Sequence, residues 1–139
     1  MLTDASACGW EVIQKRLARW ALACPQVMAV MDNKSADADA QAKACWSLVN
    51  LACSAQDNQA KIAALGGIPR IIAALTAHPH HEELQREACK CLYFLSLLPR
   101  NRVRIADAGG IEKLISIIIA YSDRPCVKIL EQVCMRVLV

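Results

Sequence analysis

The densest cluster of chemically competent side chains is His78-Pro79-His80-His81-Glu82-Glu83. Imidazole and carboxylate together are zinc ligands, but a zinc site needs donors fixed on more than one element. No Cys or His returns to this stretch from another fixed position, so the spacing predicts a solvated loop between helices. Cys89 and Cys91 stand two residues apart in a helical pattern. They therefore point to different faces and form neither a redox pair nor a metal clip. The pairs Gly66-Gly67 and Gly109-Gly110 lack the G-x-G-x-x-G or G-K-[ST] context that would cradle a phosphate. Each follows a short helical pattern, and helix termination explains both. No Ser carries a nucleophile motif, no two carboxylates share an apolar setting, and the three His lie together in one loop. The expectation is a chain that is not an enzyme and that uses no metal or cofactor.

What would position any binding surface is then the question. Hydrophobic residues make up 55% of the 139 residues and aromatics only 4%, an excess of small and aliphatic side chains suited to close helix packing. With five Gly and five Pro, turns are too few for a sandwich or barrel. The reading is all-α and a single domain. The longest apolar run, Leu114 to Tyr121, is far short of the roughly 18–20 residues of a membrane span. Met1 to Ala5 does not read as a secretory signal, which places the chain in the cytosol or nucleus. Cys45, Cys53, Cys89, Cys91, Cys126 and Cys134 then read as reduced core residues, with Cys8 and Cys126 the thiols nearest loops. The net charge of +3 is spread along the chain, which argues against a nucleic-acid partner.

Self-similarity decides the architecture. Residues 41–67 overlay 85–110 with one deletion: Gln41 on Gln85, Ala44 on Ala88, Cys45 on Cys89, Leu48 on Leu92, Leu51 on Leu95, Asn58 on Asn101 and Ile62 on Ile105. The segments after each Gly-Gly pair, from Ile68 and from Ile111, also coincide. The same offset places Pro25, Val27, Ala29 and Met31 on Pro69, Ile71, Ala73 and Leu75. The division is a partial unit 10–36, repeats 37–80 and 81–122, and a partial unit 123–139. Trp10, Ile13, Leu17 and Trp20 line one face of a helix in the first partial unit.

Each repeat reads as three helices. Asp57 or Asn58 caps a short first helix ending near Leu65, and Gly66 stops it in the left-handed conformation. A second helix, with Pro69 in its first turn, buries Ile68, Ile71, Ile72 and Leu75, ending before the polar loop Thr76 to His81. A third runs from about Glu82 to Leu98, with Ala88, Leu92 and Leu95 inward and Pro99 beyond its end. Three such helices bury both faces only when stacked on a neighbour.

The string from Ala42 to Ala52, followed at spacing by Asn58, Ile62, Gly66-Gly67-Ile68 and an Ile-Ile-x-x-Leu helix, resembles the armadillo repeat of importin-α and β-catenin. HEAT repeats are two-helix units without the Gly-Gly break. The resemblance implies a right-handed α-solenoid, a non-enzymatic scaffold whose third helices line a concave groove for an extended peptide or helix of a partner. In that family a Trp and an Asn four residues apart hold the ligand, and Trp46 and Asn50 match that pattern. They share a helical face that Ala44, Leu48 and Leu51 do not occupy. The match does not continue: the next repeat has Lys90 and Phe94 at these places, and the last third helix offers Gln132 and Arg136. Lys43, Arg86, Lys90 and Arg136 would give the groove a basic lining, favouring an acidic or phosphorylated segment.

The sequence closes on Val137-Leu138-Val139 in a helical pattern, whereas terminal repeats normally carry a polar outer face. Val137 and Leu138 are therefore the expected assembly interface, in an alternative reading of the chain as a homo-oligomer subunit or a piece of a longer solenoid.

Overall fold

The Asp37 side chain accepts a hydrogen bond from the Ala40 amide at 3.1 Å and opens a helix; Gly66, at φ +80°, closes another. Local signals of this kind set the elements of the computed structural model, which describes residues 23–138. Eight helices and no strand occur among them. They are α1 (residues 23–33), α2 (Ala38–Ser54), α3 (Gln56–Ala64), α4 (Gly67–Ala77), α5 (Glu82–Leu95), α6 (Pro99–Asp107), α7 (Gly110–Ala120) and α8 (Pro125–Leu138). Trp10, Ile13, Leu17, Trp20 and Cys8 lie outside the described residues.

The fold is a packed helical domain with α5 at its centre, between α2 and α8 and alongside α4. Leu84, Ala88, Leu92 and Leu95 of α5 are fully buried, as are Leu48, Ile62, Ile68, Ile71, Leu75, Ile105 and Leu114 around them. Each of these Leu and Ile side chains contributes on the order of 1.5–3 kcal/mol by leaving water. Cys89 and Cys91 are both fully buried, despite facing different ways, because helices pack on more than one side of α5. Cys53 departs from the expected core assignment: it lies exposed near the end of α2.

Polar groups join the helices where backbone would otherwise be orphaned. The last carbonyls of a helix lack intrahelical donors. Gln41 Nε2 donates to the Met31 and Lys34 carbonyls at 3.0 and 2.9 Å, at the end of α1. Gln85 Nε2 donates to Leu75 and His78 at 3.0 and 2.9 Å, at the end of α4. Asn58 does not cap α3, and neither does Asp57: the capping position is Ala55, with no side-chain bond. Asn58 is instead buried, donating to the Leu51 carbonyl at 3.0 Å, since an amide inside the domain must find a partner. Helix α5 ends at Leu95 rather than Leu98, because Pro99 opens α6 and holds Leu98 extended at φ −86°, ψ 127°.

The histidines lie in a loop between α4 and α5, as the spacing predicted, and each meets a partner there. His81 caps α5, its Nδ1 accepting from the Leu84 amide at 3.1 Å. The proton then sits on Nε2, which donates to Asp39 at 2.8 Å. His78 Nε2 donates to the Ser35 carbonyl at 2.8 Å, and His80 meets the Tyr121 ring edge-on at 6.0 Å. Each links segments 41 to 43 residues apart.

Candidate functional site

Helix α2 carries two sets of side chains. Gln41, Ala44, Leu48 and Leu51 are buried; Lys43, Trp46 and Asn50, offset around the helix by the spacing of the sequence, are exposed. A large aromatic that remains 57% exposed is unusual, because a Trp ring gains more from burial than almost any other side chain. Trp46, Asn50 and Lys43 line a depression of about 690 Å³ between α1 and α2, whose apolar wall is Ala23, Val27 and Val30. Lys34, Asp37 and Asp39 stand on the same lining, so its charges balance.

The other expected groove residues are distributed elsewhere on the fold. Arg86 and Lys90 flank the buried carboxylate of Glu87, with Arg86 Nε and Lys90 Nζ each 3.5 Å from its Oε1. Glu87 therefore offsets the positive charge assigned to this stretch. Phe94 is half-buried and packs edge-on against Tyr93 at 5.5 Å. Arg136 lies 5.0 Å above the Tyr93 ring and donates to its hydroxyl at 3.4 Å, a cation–π contact. Only Lys43, Trp46 and Asn50 of the expected set line the α1–α2 depression.

Helices α5 and α8 each have 14 residues, and matching them first residue to first residue pairs Lys90 with Val133 and Phe94 with Val137, one residue on from Gln132 and Arg136. Val137 is half-buried against the core, so it does not form the exposed end; Leu138 does, together with Met135.

No family model, characterised protein or solved structure matches the chain. What the site can do therefore rests on its own chemistry. Between α2 and α5 lie the buried thiols of Cys45 and Cys91. Burial, and secondarily the charge of Glu87, pushes the Cys45 thiol up to about 12. Burial, then Cys45 and Glu87, pushes Cys91 well above its usual value. A neutral thiol is a poor nucleophile and a poor metal ligand, in keeping with the place of both in the apolar core. The α1–α2 depression offers an aromatic face, an amide and an ammonium beside an aliphatic wall. Those groups suit the recognition of a polypeptide segment. The feature that sequence reasoning lacked was that wall: Val27 carried a signal only as the counterpart of Ile71, and Val30 carried none.

Among the described residues no single helix is long and apolar enough to cross a membrane.

Proposed function

We propose that the chain is a non-enzymatic protein-interaction module, a stack of armadillo-like three-helix units that binds a segment of another polypeptide through the α1–α2 depression. The observation that carries this is Trp46, exposed at the mouth of an aliphatic-walled depression beside Asn50. Trp is the residue most enriched among side chains that dominate protein interfaces. Asn50 supplies a donor and an acceptor for a ligand backbone.

The stacked-unit reading is supported by features that repeat and by bonds that span about one period. The Gln41 and Gln85 pairs bind equivalent carbonyls. Gly66 and Gly109 adopt the same left-handed conformation, at φ +80° and +72°. Asn101 donates to the Gln59 carbonyl and Arg104 to that of Ala63, 42 and 41 residues away. Because two lysines and two aspartates share the lining, an apolar anchor on Trp46 is favoured over the acidic or phosphorylated segment that the basic residues alone suggested.

The test is a displayed peptide library selected on the folded chain, with hits titrated against Trp46→Ala/Asn50→Ala. The expected result is enriched peptides with an apolar anchor whose affinity falls at least tenfold in the double variant, while its thermal unfolding is unchanged. Enriched peptides that bind both proteins equally would place recognition elsewhere.

A further inference from the structure

The same helix position is buried in one unit and exposed in another, and the pattern is directional. On α5, Gln85, Ala88, Leu92 and Leu95 are all buried. Their in-register counterparts on α8, Lys128, Glu131, Met135 and Leu138, are all exposed; Leu92 and Leu95 are 0% exposed, whereas Met135 and Leu138 are 63% and 62%. Helix α7 repeats this, with Ile115 at 41% where Ile72 of α4 is at 2%. Ile72 is covered because it packs against Gly110 at the start of α7. Nothing among the described residues does the same for Ile115.

The opposite face shows the converse. Glu87 and Cys91 of α5, and Leu130, Val133 and Cys134 of α8, are buried. The α2 residues at those positions are Lys43, Trp46 and Ser47, and they line the open depression. On α1, Val27 and Val30 stand where Ile71 and Ala74 of α4 are buried.

We infer that the α1–α2 depression receives the α7–α8 face of a second copy of this chain, giving head-to-tail assembly. This rests on the reading of that depression as a protein-binding site and names its occupant. The docking repeats an interface the chain already contains twice, α2 against α5 and α5 against α8. Among the described residues, these two exposed faces are the two halves of that interface. An apolar surface whose counterpart lies on the far side of the same molecule makes a heterologous contact, which propagates instead of closing as a two-fold dimer. The charges at the new junction are mixed: Lys43 takes the place that Glu87 holds in the internal one, and the depression of about 560 Å³ on α8 is lined by Glu131 together with Lys128 and Arg136, so apolar contact and not charge is what drives the docking.

The experiment is light scattering of the full chain over a wide concentration range with reductant present, alongside Trp46→Asp and Leu138→Glu. The wild-type mass is expected to rise with concentration past two chains. Each variant alone should stay monomeric, and an equimolar mixture should give a one-to-one dimer, because each supplies the face the other lacks. Val30→Asp and Met135→Lys form a second pair if either first variant loses its helical circular dichroism. A wild type that is monomeric throughout overturns the inference, as does a dimer that plateaus at two chains and survives Trp46→Asp. A monomeric wild type that still loses selected peptides on Trp46→Ala/Asn50→Ala would sink the assembly and leave the interaction module standing.

Discussion

Gln41 and Gln85 hold the carbonyl ends of α1 and α4 by the same pair of bonds, 3.0 and 2.9 Å in each case. Both side chains are nearly inaccessible to water, so no solvent replaces the amide when it is removed. Gln85→Ala is expected to destabilise the fold by about 2–3 kcal/mol, from two lost bonds and the carbonyls left unpaired. Gln85→Glu should cost at least as much, because a carboxylate does not donate. Urea unfolding checks both; a loss below 0.5 kcal/mol, well under the ~1 kcal/mol of one ordinary bond, would show the pairing to be incidental.

The paired glycines should separate by mechanism. Gly109 is left-handed at φ +72°, yet a Cβ there meets nothing within 4 Å. Gly109→Ala should therefore cost only the conformational strain, about 1–2 kcal/mol. At Gly110 a Cβ falls 2.6 Å from the Ile105 carbonyl oxygen, and backbone does not yield as a side chain does. Thermal unfolding should rank Gly110→Ala clearly below Gly109→Ala; equal melting temperatures would contradict the packing.

Thiol chemistry supplies a pH dependence. The Cys45 pKa is raised from 9.0 to about 12, so above pH 9 the unfolded thiol loses its proton while the folded one keeps it. Stability from this group is complete below pH 9 and falls by about 1.4 kcal/mol per unit as pH rises toward 12. Cys45→Ala should flatten that part of the stability curve. In the native state at pH 8, alkylation should mark exposed Cys53 quickly and leave Cys45 and Cys91 until unfolding; mass spectrometry of the digested chain reads this directly.

Lys90→Glu places a second carboxylate beside Glu87, whose Oε1 now stands 3.5 Å from the Lys90 ammonium. The side chain of Lys90 is 41% exposed, so solvent screens the change and the expected cost is about 1 kcal/mol. In a Glu87→Gln background the same substitution should cost markedly less, a double-mutant cycle that isolates the direct interaction.

Much of the helical framework was legible in residues that act locally. Gly66 predicts a left-handed stop because a side chain there is strained, and Ile68, Ile71, Ile72 and Leu75 predict the buried stripe of α4 by their spacing alone. The equivalence of Gln41 with Gln85 was visible too, although its purpose was not: the carbonyls they satisfy belong to another helix. Tertiary structure decided what surrounds each helix. His78 and His81 read as loop residues until Ser35 and Asp39, 43 and 42 residues earlier, came within reach. Arg86 and Lys90 read as a basic lining until Glu87 stood between them. Trp46 of α2 and Val133 of α8 are both apolar residues within helices, yet one is 57% exposed and the other 0%. Sequence fixes backbone preference and the side of a helix that is apolar, since both depend on neighbours along the chain. Whether that side meets another helix or water depends on an element brought there by the fold.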